Sequence, residues 1–164
     1  MKMTQLMAFT MAAGLATMAQ AEEPSSRTVT EQFKDWRYAC VEQDGSSRCE
    51  IGQGAANDQG QMVSQIIIGQ NPEGKAQVQL MAPLMMDLKA GVKVSVDQDS
   101  VANLNYLFCN QGACVVAELL DSDLLAAMKA GSEMQIDVAA INGQTMTINY
   151  SLSGFSAAFA RLMD

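Results

Sequence analysis

The chain has 164 residues, and its ten lysines and arginines stand against 18 aspartates and glutamates, a formal net charge of −8. An acidic chain with scattered basic residues is repelled by phosphate backbones and anionic membrane surfaces, which excludes nucleic-acid binding. The absence of histidine removes Ser-His-Asp and Cys-His nucleophiles, zincin helices and histidine-ligated metal centres together.

Residues 1–21 read as a cleaved secretory signal peptide. Lys2 supplies the positive start, residues 6–19 are an apolar run without charge, and Ala19-Gln20-Ala21 is the small-x-small site cut by signal peptidase. The run is too short to span a bilayer comfortably, and no cysteine near the cut offers a lipid anchor. No later apolar segment reaches membrane-spanning length, so the mature chain is expected to be soluble, without membrane insertion. Subtracting the 21 leader residues from 164 leaves 143, one ordinary domain. Residues 22–32, polar and containing Pro24, read as a flexible N-terminal segment, and residues 33–164 as a single folded domain.

From Trp36 to Cys40 large residues alternate with Arg37 and Ala39, the period of a strand. Asp44-Gly45 turns the chain, and residues 52–60 read as a loop by composition. Ile66-Ile67-Ile68 suits a strand covered on both faces, and Asn71-Pro72-Glu73-Gly74 is a turn in which proline presets φ and glycine accepts positive φ. Val78 and Leu80, then Val92, Val94 and Val96, alternate with polar residues as half-buried strands do. Residues 103–120 form two strand-like arms around Asn110-Gln111-Gly112-Ala113, with Cys109 and Cys114 facing across the neck.

Asp121 or Ser122 can cap a short helix that Lys129 and Gly131 close, with the glycine in a left-handed stop. Met134, Ile136 and Val138 then alternate up to Asn142-Gly143, which predicts a type I′ turn, and Ile148 and Tyr150 return. Phe155, Phe159 and Leu162 fall at helical spacing and predict a terminal helix with one face on the sheet. Lys89-Ala90-Gly91 and Lys129-Ala130-Gly131 repeat 40 residues apart, each with a strand behind it. The same corner is read as used twice, where the chain crosses from one sheet to the other. Short strands with turns every eight to twelve residues predict an all-β antiparallel sandwich with one or two short helices.

All four cysteines lie in the mature part, and export makes disulfides their expected state. Three pairings are possible, of which the spacings favour Cys40 with Cys49 and Cys109 with Cys114. Neither spacing is that of a thioredoxin motif, so the bridges read as structural. Asp97-Gln98-Asp99 and Asp121-Ser122-Asp123 lack the glycine and glutamate of a calcium loop and read as a strand-end turn and a helix cap. No spacing selects a glycosidase carboxylate pair. Met81, Met85 and Met86 are candidate soft ligands for Cu(I), against the commoner use of methionine as core filler. Trp36 and Tyr38 are a candidate aromatic binding platform, against packing beside the Cys40 bridge.

Trp36-x3-Cys40, Cys49, Pro83-Leu84, Leu88-x2-Gly91-Val92, Asp97, Cys109-x2-Gly112-x-Cys114 and Ser153-Gly154-Phe155-x2-Ala158, in this order, resemble the invasion-associated locus B family of exported bacterial proteins. The resemblance runs from about residue 33 to 162. It implies an immunoglobulin-like β-sandwich, periplasmic or secreted in a Gram-negative bacterium, with no catalytic residues. The expectation is a non-enzymatic binding protein without cofactor, whose partner is a protein or an envelope component met through a sheet face or edge. Any link to invasion would be indirect, and the alternative is an envelope Cu(I)-handling protein.

Overall fold

The structure, a computed structural model, describes residues 26–164; the leader and its cleavage site lie outside the described residues. Two antiparallel sheets face each other over one apolar core. The larger has seven strands in the order β1-β2-β3-β4-β5-β9-β8: β1 (Arg27–Phe33), β2 (Trp36–Gln43), β3 (Ser46–Ala56), β4 (Met62–Gln70), β5 (Ala76–Ala82), β9 (Cys114–Leu119) and β8 (Tyr106–Cys109). The smaller has four in the order β11-β10-β6-β7: β11 (Thr145–Ser151), β10 (Glu133–Ala139), β6 (Val92–Val96) and β7 (Asp99–Leu104). Ile66, Leu80 and Val116 of the first sheet, and Val94, Ile136 and Ile148 of the second, belong to a single buried cluster.

Four strands cannot cover seven, and the two helices make up the difference. Helix α2 (Phe155–Met163) lies against β1, β2 and β3, where Phe155 meets Trp36 edge-on with ring centroids 5.0 Å apart. Helix α1 (Ser122–Ala130) adds Leu124 and Met128 to the core. Between the sheets and α1 lies a cavity of about 10 Å³, lined by apolar side chains such as Leu80, Met128 and Ile136.

The repeated Lys-Ala-Gly corner stands at both chain crossings from the large sheet to the small one, before β6 and before β10, which are hydrogen-bonded neighbours. The two glycines answer different needs. Gly91 has φ +67° and an added Cβ would lie 2.8 Å from the Leu104 carbonyl oxygen. Gly131 is extended, φ −82°, not the left-handed stop the sequence predicts; a Cβ there would meet Val96 Cγ1 at 2.3 Å. Asp97 ties the second corner down, its carboxylate accepting from the Ser132 and Glu133 amides at 3.0 Å. Asp121 caps α1 by accepting from the Asp123 amide at 2.8 Å, so both acidic pairs do the work of turn and cap.

Several elements differ from the sequence reading. Residues 27–32, read as part of a flexible segment, belong to β1, because every residue from Arg27 to Phe33 has a register partner on β2. Residues 52–56, read as loop, continue β3 across β4. Ile67 is half-buried rather than covered, since only Ile66 and Ile68 point inward. The first arm of the disulfide hairpin is split: Asn103 and Leu104 pair with β6, and the chain changes sheet at Asn105. At Asn142-Gly143 only the glycine has positive φ, +82°, so the turn is not type I′; Ala140 accepts from the Gly143 amide at 2.9 Å.

Candidate binding face

Strand alternation places Ile51, Ile66 and Ile68 in the core and turns Gly52, Gly54, Gln65 and Ile67 to the outside of the large sheet. Register then runs rows across this outer face: Arg37, Gly52, Ile67, Gln79 and Ala117 in one, Ala39, Glu50, Gly69, Gln77 and Leu119 in the next. Glycine and alanine leave the floor low. At Gly52 this is obligatory, since a Cβ would lie 2.9 Å from the Ile66 carbonyl oxygen. The result is two shallow depressions of about 280 and 620 Å³, both bordered by Glu50 and Ile67. Arg37, Gln65, Gln77 and Gln79 stand around them.

Among the described residues the two ion pairs are Lys75–Glu73 and Arg161–Glu31, so neither Arg37 nor Arg48 of this face has a carboxylate partner. The face therefore offers guanidinium and amide donors beside two carboxylates, Glu50 and, at the rim of the smaller depression, Asp35, on an acidic protein. It can hold a polar chain by hydrogen bonds, and it lacks the enclosure that catalysis in a dry site requires. The glycines that form it were the residues composition assigned to a loop; their spacing of two, Gly52 then Gly54, is the signal that a strand carries them.

Trp36 and Tyr38 are not an exposed platform. They are 0% and 4% exposed, because alternation turns them inward and α2 covers them. The Trp36 indole donates to the Ser151 carbonyl at 2.8 Å, and the Arg161 guanidinium lies 4.5 Å over the Tyr38 ring. The cysteines join as Cys40–Cys49 and Cys109–Cys114, each across directly opposed strand positions. The three candidate thioethers are not brought together. Met86 is buried, Met81 lies half-buried on the outer face of β5, and Met85 is 66% exposed at φ +68°. Among the described residues no three Cys, Asp or Glu side chains are grouped to hold a metal, and no helix is long and apolar enough to cross a membrane.

The family model for invasion associated locus B protein matches residues 36–163. The chain belongs to the invasion-associated locus B family. An invasion protein B homologue of Brucella abortus is 27% identical over 156 residues, covering 94% of this chain and 90% of that one. Invasion protein B of Bartonella bacilliformis is 27% identical over 139 residues, 82% of this chain and 75% of that one. The crystal structure of invasion associated protein B from Bartonella henselae shares the fold, with a TM-score of 0.74 at 24% identity, over 82% of this chain and 95% of that one.

The family's landmarks acquire physical reasons here. Gly154 of the Ser-Gly-Phe close has φ +91°, and a Cβ on it would stand 1.9 Å from the Phe33 carbonyl oxygen. The landmark Trp36 begins β2, two residues beyond Lys34, whose Cβ lies 3.1 Å from the same point. The start and the end of the family pattern thus abut each other in space.

Proposed function

We propose that this protein is an exported, non-enzymatic binding protein that acts by contact in the periplasm or cell envelope, through the outer face of its seven-stranded sheet. The observation that carries this is the contrast between inside and outside. The interior is filled, with Ser64 its one buried polar side chain apart from aromatic ones among the described residues. Organised polar groups in a concave setting gather on the outer face, around Glu50 and Ile67. Export rests on the leader and on two disulfides, which persist in oxidising compartments. The partner is a protein or another envelope component that accepts hydrogen bonds from Arg37 and the glutamines. The invasion in the names of its Brucella and Bartonella relatives extends to this chain as an indirect contribution through the envelope.

A photo-crosslinking residue at Gln79, on this face, tests the reading against the same residue at Thr147, on the small sheet. In living cells Gln79 should give a discrete adduct that Gly69→Arg abolishes, while Thr147 gives none. Equal labelling from both positions, or none from Gln79, overturns it. Cell fractionation with N-terminal sequencing tests export, with Glu22 as the expected first residue.

A further inference from the structure

An antiparallel sandwich has four edge strands, and here three of them are blunted. Strand β1 carries Arg27 and Glu31, and β7 begins at Asp99. The exposed backbone of β11 is capped at Ser151: its amide donates to Gln53 Oε1 at 2.8 Å, and its carbonyl accepts from Trp36 Nε1 and Gln53 Nε2. These are the ordinary defences against strand addition.

Strand β8 has none of these charges or caps. Its sequence is Tyr-Leu-Phe-Cys, with Leu107 64% and Phe108 48% exposed. The Asn110 amide donates to the Ala113 carbonyl, which makes Cys109 and Cys114 the non-hydrogen-bonded pair of the hairpin and turns the N–H and C=O of Cys109 to the open side. Backbone groups so placed call for an extended strand, and the chemistry around them says which one. From Asn105 to Ala117, through β8 and its hairpin, there is no charged residue, in a chain that is 17% charged; by composition about two would be expected there. Two copies that each carry a net charge of −8 repel wherever acidic surfaces meet, and this stretch is where they meet without charge. On the outer face beside it, Phe108 pairs with Val115 and Val115 with Met81, an apolar row that a second copy would continue.

We infer that β8 is a self-association edge: two copies pair β8 antiparallel about a two-fold axis, joining their large sheets. The other three edges resist addition, so the assembly closes at two copies. The strand is short and bulged between Tyr106 and Phe108, which keeps the dimer reversible rather than obligate.

Sedimentation equilibrium on purified protein with both disulfides formed, from about 1 to 500 µM, tests this. The expected result is a monomer–dimer equilibrium that Phe108→Lys weakens at least about tenfold and Ile141→Lys leaves unchanged; Ile141 is 62% exposed but lies in the β10–β11 turn, far along the chain from β8. A second measurement needs no variant: hydrogen exchange at the Cys109 amide should slow as the concentration of the native protein rises. A native protein that stays monomeric throughout, a Phe108→Lys protein that dimerises like the parent, a dimer lost in Ile141→Lys, or Cys109 exchange independent of concentration overturns the inference. The photo-crosslink at Gln79 does not depend on this edge, so each proposal can fail alone.

Discussion

On the side where α2 lies against β1, β2 and β3 and β11 abuts β3, polar groups are knotted together. Asp35 accepts from the Ser151 hydroxyl at 2.7 Å, Gln53 bridges Asp35 and Ser151, and the Ser153 amide donates to Ser151 Oγ. Across the sandwich, at β7, β8 and β9, one carboxylate binds Asn105, through its amide and its side chain, at the sheet crossing. The buried Tyr106 hydroxyl there has no partner among the described residues. Each side has its disulfide, so covalent bonding does not distinguish them. The difference is that one side finishes its hydrogen bonding within the chain and the other leaves it open, as an edge available to a second strand does.

The largest test strikes the closed side. Gly154→Ala forces a Cβ onto the Phe33 carbonyl oxygen from a left-handed backbone, and should cost at least about 3 kcal/mol in urea unfolding. A loss under 1 kcal/mol would mean that the closed side yields easily.

Next come the staples. Replacing Cys40 and Cys49 by serine, or Cys109 and Cys114, opens loops with sequence separations of 9 and 5. Each double variant should lose about 2–3 kcal/mol, the first slightly more. If one loss were several-fold the other, the two sides would differ covalently after all.

Two tyrosines then sharpen the contrast with opposite signs. Tyr150 donates to Ser64 Oγ between the sheets, and Ser64 donates to the Met81 carbonyl. Tyr150→Phe should cost about 1 kcal/mol. Burial pushes the Tyr150 phenol up to about 12 from its ordinary 10. Its neutral form thus supports the fold fully below pH 10, and that support is lost as pH rises towards 12. Phenolate absorbance should show a late step that Tyr150→Phe removes, together with part of the alkaline loss of stability. Tyr106→Phe, the smallest effect, removes a buried hydroxyl that has no partner among the described residues. It should leave stability unchanged or raise it by a few tenths of a kcal/mol. A clear loss in the same urea titration would show that the open side has a bond in solution.

The alternation of Val92, Val94 and Val96, the Asn71-Pro72-Glu73-Gly74 turn, the two cysteine pairs and the spacing of Phe155, Phe159 and Leu162 were all legible along the chain, because each is set within a few residues by periodicity or turn chemistry. So were both crossings from the large sheet to the small one, through the repeated Lys-Ala-Gly, but not the return at Asn105. Where partners distant in sequence decide, the reading failed. Residues 27–32 and 52–56 look like coil because polar residues and glycines are poor strand formers alone, and only pairing with β2 and β4 makes them strands. The candidate face depends on that correction, since Gly52 and Gly54 form its floor.

Sequence alone thus determined the sandwich, its staples and its place among the invasion-associated locus B proteins, since local patterning says which side of each strand is buried. Tertiary structure decided what does the covering. It put Trp36 and Tyr38 beneath α2, divided Met81, Met85 and Met86 among three environments, and left β8 uncovered, because contact across the sandwich depends on how strands far apart in the chain are stacked.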